Sequence, residues 1–196
     1  MRLLERRHVI VLATASFGYQ TPPTSSCVPL AKAVELIQQQ CPPTFRTAVQ
    51  QSGHFLYRGE SVTEPCILNP PSDLLDPSTY GSNDSAAALS FFQCLQDRYA
   101  TARLRPSTGH LGTARRVEAA TWGPPCTVWP LGQPFHYQWP AQGRLFYPDS
   151  TCESAFVTDI GLVEALRNDK EILFRSPSFL VVPAIYEEAL RAIILP

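Results

Sequence analysis

The chain has 196 residues, of which 44% are hydrophobic and 17% charged, and its formal net charge is -1 at pH 7. This size predicts one compact domain over residues 1–196 with a core of its own. The near-zero charge supplies no basic field to attract nucleic acid, and no stretch approaches the roughly 20 apolar residues that span a bilayer, so neither a nucleic-acid-binding protein nor an integral membrane protein is predicted.

The first 20 residues combine a basic start with a short apolar run, a pattern that fits two kinds of segment. Arg2 and Arg6 precede the apolar residues 9–13, but Glu5 lies among the basic residues. The acidic residue and the short run favour a first β-strand, and a secretory signal peptide is the alternative. We therefore expect a cytoplasmic protein, with secretion as the second possibility.

Six cysteines lie at positions 27, 41, 66, 94, 126 and 152. None forms a Cys-x-x-Cys pair and none has a histidine at metal-ligand spacing, so the sequence predicts no metal site. Their loose spacing in a chain of this length favours reduced, partly buried thiols over three disulfides.

Two helices are predicted in the first third of the chain. Apolar residues recur at helical spacing over 29–40, where Ser25 or Ser26 can cap the helix. A second, short helix is predicted over 45–51 and ends at Gly53. The first helix is expected to cover a core, and the second to lead into the strand that follows.

An apolar strand over 55–57 follows the second helix. Residues 61–83 are rich in Pro, Ser, Asn and Asp and are predicted to form a long loop. The clearest helix of the sequence comes next, over 86–99, with apolar residues along one face.

Short strands are predicted after this helix, at 114–122, 126–130 and 135–139, and a short helix is predicted over 160–166. The three tryptophans of the chain lie in or beside these strands. Spaced tryptophans on neighbouring strands pack a sheet more often than they stack on a ligand.

A strand that begins at Glu171 is predicted to form a hairpin with residues 178–182, and an amphipathic helix over 186–194 closes the chain. Nineteen prolines divide the chain into short elements. Together these patterns predict an α+β fold with a small, mixed, mostly antiparallel sheet of short strands and flanking helices.

A candidate anion site lies at the exit of the first of these apolar strands, in the sequence Tyr57-Arg58-Gly59. The guanidinium of Arg58 presents a planar fork of donors that matches phosphate oxygens two at a time. Gly59 has no Cβ and lets the backbone come close to a ligand.

A second candidate element is Asp169-Lys170-Glu171, which leads into the apolar strand that follows. Alternation in a strand places Asp169 and Glu171 on the same face. A carboxylate at the mouth of one strand and an arginine at the end of another suit a ligand that carries both a cationic sugar and a diphosphate.

In this order the two elements resemble the arginine–serine–glutamate group of mono-ADP-ribosyltransferases. Members of that group carry an aromatic-Arg-Gly sequence on an early strand, a middle strand with Ser or Thr, and a late strand that begins with Glu. The chain also resembles, over 40–182, uncharacterised marine phage proteins with a Leu-Tyr-Arg-Gly segment. The nearest match to the middle strand is the segment that ends at Thr121.

The resemblance implies that NAD is a substrate and that ADP-ribose is transferred to an acceptor, for example a protein. NAD would bind at Tyr57, Arg58 and Gly59, with its diphosphate on Arg58 and Gly59. Glu171 would stabilise the positive charge that develops on the ribose, with support from the Thr121 hydroxyl. Asp169 would orient or activate the acceptor.

A second interpretation belongs to a different class of protein. A non-catalytic structural or binding module, for example of viral origin, could keep a transferase-like fold without its chemistry. The poor match to the middle strand favours this module, whereas Arg58 and Glu171 favour the enzyme.

Overall fold

The computed structural model describes residues 25–69, 97, 104, 109–141 and 156–195. In these residues nine strands form one sheet: β1 (Ser25–Cys27), β2 (Tyr57–Gly59), β3 (Cys66–Leu68), β4 (His110–Thr113), β5 (Pro125–Leu131), β6 (His136–Pro140), β7 (Phe156–Thr158), β8 (Glu171–Arg175) and β9 (Ser178–Pro183). The helices with both ends described are α1 (Leu30–Gln40), α2 (Pro43–Ser52), α3 (Arg116–Trp122), α4 (Leu162–Arg167) and α5 (Glu187–Ile194), and a 3₁₀ helix (Ala184–Tyr186) precedes α5.

The strand order in the sheet is β1-β3-β9-β5-β2-β4-β8-β6-β7, and every pair of neighbouring strands is antiparallel. The structure therefore confirms an α+β fold built on an antiparallel sheet. The predictions for the N-terminal 20 residues and for the helix over 86–99 fall outside the described residues, apart from Asp97, which is helical.

The predicted hairpin between β8 and β9 is wrong, although only two residues link these strands. β8 pairs with β4 and β6, whereas β9 pairs with β3 and β5. The rings of Phe174 and Phe179 nevertheless lie 5.8 Å apart, edge to face. Three strands separate β8 from β9 in the sheet, so the sheet bends far enough to bring them together. The Ser176 hydroxyl donates to the carbonyl of Ser178 at 2.7 Å and holds this corner.

The main core lies between the sheet and the helices. Phe45 of α2 packs edge-on against Trp129 of β5, with ring centroids 6.0 Å apart, and both side chains are fully buried. Pro43 suits the first turn of α2, since that turn needs no donor from it. Gly53 ends the helix as predicted, with φ 72° and its N–H donating to the Val49 carbonyl at 2.9 Å.

The N-terminal edge of the sheet corrects two predictions. Ser25 and Ser26 belong to β1 and do not cap α1, whose first turn follows Pro29 without a side-chain cap. Residues 66–68, predicted as loop, form β3. Strands of three residues are too short to show an alternating pattern, so they form because a neighbouring strand satisfies their backbone groups.

Cys27 of β1 and Cys66 of β3 lie opposite each other and form a disulfide. The prediction of reduced thiols is therefore wrong for this pair. Cys41 and Cys126 are free and buried, and burial raises the pKa of each thiol to about 12. Both free thiols are thus inert at neutral pH.

The strand predicted over 114–122 is also wrong, because residues 116–122 form α3. Its Arg, Glu and Ala residues have high helix propensity, and Ala119 faces the core with no exposed surface. The predictions over 126–130 and 135–139 are confirmed within a few residues by β5 and β6. The helix predicted over 160–166 begins slightly later, after Gly161, which adopts φ 68°.

Candidate functional site

The three strands that carry the candidate polar residues are neighbours in the sheet, in the order β2-β4-β8. Arg58 lies on β2, Thr113 ends β4 and Glu171 begins β8. Thr113 is paired directly with Glu171 on one side and with Tyr57 on the other. Arg58 and Glu171 are each only 7% exposed and Thr113 is fully buried. Elements distant in sequence thus bring an arginine, a hydroxyl and a carboxylate into adjoining strands.

Arg58 lies at the point where β2 and β4 separate. In the described residues the ladder between these strands is the single pair Tyr57 and Thr113. Side chains of directly paired residues lie on the same face of a sheet, and successive side chains of one strand alternate between its faces. The side chains of Tyr57, Thr113 and Glu171 therefore leave the sheet on one face, and the side chain of Arg58 leaves it on the other. Arg58 is the middle residue of β2 and not its exit, and its Nη1 donates to the carbonyl of Leu111 on β4 at 3.0 Å.

The guanidinium of Arg58 also contacts a carboxylate. Its Nε donates to Oε1 of Glu60 at 2.5 Å, and the two side chains are 8% and 16% exposed. A pair so shielded from water interacts more strongly than a surface ion pair. Arg58 therefore already holds an anionic group.

Glu171 follows a tightly turned connection from α4. The N–H of Lys170 donates to the Ala165 carbonyl at 2.9 Å, and the N–H of Asp169 donates to the Leu166 carbonyl at 3.4 Å. This is the pattern that ends a helix with one residue in the left-handed conformation, here Asp169 with φ 54°. The expected alternation of Asp169 with Glu171 is wrong, because Asp169 is an exposed turn residue outside β8.

The Thr113 hydroxyl connects β4 to α3. It donates to Oε2 of Glu118 at 2.9 Å and accepts the N–H of Arg115 at 3.1 Å. Sequence reasoning missed Thr113 because a four-residue strand with a glycine, directly after residues 107–109, looks like loop. The one indication in the sequence was that Thr113 lies between the Arg58 segment and the Glu171 segment, on which the resemblance depends.

Thr121, the residue expected to support Glu171, lies elsewhere. It is exposed on α3, and its hydroxyl donates to the Glu118 carbonyl of the same helix at 2.7 Å. The segment around it is helical, so Thr121 does not occupy a middle strand between Arg58 and Glu171. Thr113 does.

Gly59 is close to a helix. A Cβ on Gly59 would lie 2.5 Å from the nitrogen of Gly123, 2.6 Å from the carbonyl carbon of Trp122 and 2.7 Å from the oxygen of Ala119. The space that the missing side chain leaves is thus filled by the end of α3.

Tyr57 belongs to the core and is 4% exposed. Its hydroxyl donates to Oε1 of Glu187 at 2.8 Å, and Glu187 also accepts from Arg116 and Arg191. Burial, together with the Glu187 carboxylate, raises the pKa of Tyr57 to about 12. Tyr57 therefore anchors β2 to α5 as a neutral donor.

Two of the tryptophans also pack the core. Trp129 and Trp139 are 0% and 4% exposed, and the indole N–H of Trp129 donates to the Thr127 hydroxyl at 3.0 Å. Trp122 is partly exposed at the end of α3, next to the close contact with Gly59.

His110 of β4 is a feature that the sequence did not indicate. It is 2% exposed, and neither ring nitrogen has a hydrogen-bond partner among the residues that the structure describes. Its ring centroid lies 4.2 Å from that of Phe179 and 5.4 Å from that of Phe174. Burial first, and the charge of Arg58 second, hold the pKa of His110 well below its ordinary value, so the ring is neutral.

Within the described ranges, no group of three or more His, Cys, Asp or Glu side chains is placed to hold a metal ion. None of the helices in that part of the chain is long and apolar enough to cross a membrane.

Comparisons with known proteins give no relative for this chain: no protein-family model, no curated protein and no solved structure matches it. The residues of the site are therefore the basis for assigning a function.

Proposed function

We propose that this protein is a mono-ADP-ribosyltransferase that cleaves the nicotinamide–ribose bond of NAD and transfers ADP-ribose to an acceptor. The observation that carries the proposal is the adjacency of β2, β4 and β8, with Thr113 paired directly with Glu171. The resemblance requires a strand with an arginine, a strand with a hydroxyl side chain and a strand with a glutamate in one site. The neighbouring positions of β2, β4 and β8 in the sheet support the proposal.

Glu171 is the catalytic residue of the proposal. Cleavage of the glycosidic bond develops positive charge on the ribose, and a carboxylate beside it stabilises that charge. The low exposure of Glu171 supports this role, because electrostatic attraction is stronger where water is excluded. Thr113 takes the place first expected for Thr121, and its contacts with α3 hold β4 in register beside Glu171.

Arg58 binds the diphosphate in this proposal. Its guanidinium fork suits paired phosphate oxygens, and it lies just beyond the single residue pair that joins β2 to β4. Asp169, exposed and two residues before Glu171, would meet the acceptor, which could be a protein. Tyr57 and Gly59 serve the site by holding β2 against α5 and α3.

The second candidate function is a non-catalytic binding or structural module. Two contacts favour it: the Thr113 hydroxyl is held by Glu118, and the Arg58 guanidinium is held by Glu60. The module is also favoured because the side chains of Arg58 and Glu171 leave the sheet on opposite faces. In such a module the only role of these groups would be to stabilise the fold.

The compartment is part of the same proposal. The disulfide between Cys27 and Cys66 favours an oxidising compartment over the cytoplasm that we first expected. The two cysteines are 39 positions apart in sequence, and the cross-link should contribute about 4 kcal/mol by restricting the unfolded chain. Two measurements test this: the effect of dithiothreitol on the melting temperature, and alkylation of Cys27 without prior reduction. If dithiothreitol leaves the melting temperature unchanged and Cys27 is alkylated, the cytoplasm is again the predicted compartment.

The enzyme test measures nicotinamide release and NAD binding for the native protein, Glu171→Gln and Glu164→Gln. Glu164 is an exposed glutamate of the preceding helix and receives the same substitution as a control. We expect Glu171→Gln to lose about 100-fold or more in turnover while it still binds NAD, and Glu164→Gln to match the native protein. Thermal melting of each variant shows that it is folded.

The transferase proposal fails if the native protein does not release nicotinamide, or if Glu171→Gln releases it as fast. In the first case, a loss of stability in Glu171→Gln identifies Glu171 as part of the structural module.

A further inference from the structure

We propose that Glu60 is a built-in competitor for the anionic ligand of Arg58, so that ligand binding requires the Glu60 carboxylate to leave the guanidinium. The inference rests on the proposed diphosphate role of Arg58 and adds to it the residue that regulates access. Glu60 comes directly after β2, two residues after the arginine.

The geometry of the arginine carries the first step. Arg58 uses Nη1 to donate to the Leu111 carbonyl and Nε to donate to Glu60. The edge of a guanidinium that includes Nε is one of the two edges on which a carboxylate or phosphate binds with paired hydrogen bonds. Glu60 therefore occupies a position that a phosphate oxygen would take.

The surroundings of Glu60 carry the second step. Its backbone is fixed, because its N–H donates to the Pro124 carbonyl at 2.9 Å and its carbonyl accepts from Val62 at 3.0 Å. Its side chain is 16% exposed, twice the exposure of the Arg58 side chain. A fixed backbone with a partly exposed carboxylate allows the side chain to rotate toward solvent without moving β2.

The chemistry of exchange follows from these two steps. Burial of a charged guanidinium is unfavourable unless the charge is paired, so the Glu60 carboxylate adds to the stability of buried Arg58 when no ligand is present. A diphosphate brings more negative charge and a better match to the fork than one carboxylate does. Weak or singly charged anions would fail to displace Glu60, and the pair thereby selects for phosphorylated ligands.

The test compares the binding of inorganic pyrophosphate by calorimetry to the native protein, Glu60→Gln and Glu64→Gln. Glu64 is exposed four residues further on and controls for the loss of one negative charge from the segment. We expect Glu60→Gln to bind pyrophosphate about tenfold more tightly than the native protein, equivalent to about 1.4 kcal/mol. Glu64→Gln should bind as the native protein does.

Loss of Glu60 leaves Arg58 without this partner and can lower stability, so a second measurement uses that effect. Pyrophosphate should raise the melting temperature of Glu60→Gln by more than it raises that of the native protein, because the anion replaces the missing carboxylate. The double variant Arg58→Gln with Glu60→Gln removes both charges and should lose the tighter binding and the extra stabilisation. A purely structural role for Glu60 gives neither response.

Equal or weaker pyrophosphate binding in Glu60→Gln, or tighter binding that persists in the double variant, overturns the inference. This outcome leaves the transferase proposal intact if NAD cleavage still depends on Glu171. Conversely, tighter binding through Arg58 in a protein that never cleaves NAD supports the competitor role and refutes the transferase.

Discussion

Gly59→Ala tests whether the glycine after Arg58 serves a ligand or the fold. The sequence suggested a close approach of a ligand, whereas the nearest atoms to a Cβ on Gly59 belong to the backbone of α3 and the residue after it. Three such atoms lie at 2.5, 2.6 and 2.7 Å, and real Cβ atoms do not approach so closely. Because these are backbone atoms, no side-chain rotation relieves the contact.

The expected loss of stability follows from that crowding. Overpacking in a well-packed region costs about 1–3 kcal/mol, and the rigid neighbours put the cost of Gly59→Ala at about 3 kcal/mol. Gly53→Ala is the matched control, since Gly53 has φ 72° and no atom of the described residues lies within 4 Å of a Cβ there. There the cost is the left-handed backbone alone, about 1 kcal/mol.

The assay is urea unfolding of the native protein and the two variants, with the midpoint and the slope fitted separately. We expect Gly59→Ala to shift the midpoint two to three times as far as Gly53→Ala, in the approximate ratio of the two costs. The reasoning is refuted if Gly59→Ala is as stable as Gly53→Ala and loses only its affinity for NAD. That result would return Gly59 to the ligand.

Two further predictions concern His110 and Asp169. The pKa of His110 is lowered in the folded protein, so the unfolded chain binds a proton near pH 6.5 that the native protein refuses, and stability should fall as the pH drops below that value. In urea unfolding, His110→Phe should reduce this loss of stability between pH 5 and 7. The variant should be at least as stable as the native protein at pH 8, since each buried polar group without a partner costs about 1–3 kcal/mol. An unchanged dependence of stability on pH would contradict the lowered pKa of His110. Asp169→Gly should keep or raise stability, because glycine favours φ 54°, whereas Asp169→Ala should lower it by about 1 kcal/mol. If Asp169 meets the acceptor, Asp169→Gly keeps NAD cleavage and loses transfer, and equal transfer would exclude that role.

The sequence could predict the elements whose pattern is local. The first two helices repeat apolar residues at helical spacing, and Gly53 ends the second by its own backbone preference. β5 and the strand that begins at Glu171 are runs of apolar residues buried on both faces. These patterns are visible without knowledge of any partner strand.

The remainder depends on contacts that no local pattern contains. β1, β3 and β4 have three or four residues each, so they exist because an antiparallel neighbour satisfies their backbone groups. The serine and proline between β8 and β9 suggested a hairpin, but the bend of the sheet lets the two strands follow each other without pairing. Thr113 was missed for the same reason, because only its pairing with Glu171 reveals its place.

The candidate site therefore depends on β4 as much as on the two strands that the sequence identified. Arg58 and Glu171 lie on strands that never pair with each other, and β4 sets the spacing between them. Thr113 ties β4 to α3 through Glu118, and the end of α3 in turn closes on Gly59 beside Arg58. A single chain of contacts thus runs from the arginine strand through a helix to the glutamate strand. Any substitution that shifts α3 should disturb both ends of the site together, whereas substitutions confined to the outer strands should leave their spacing unchanged.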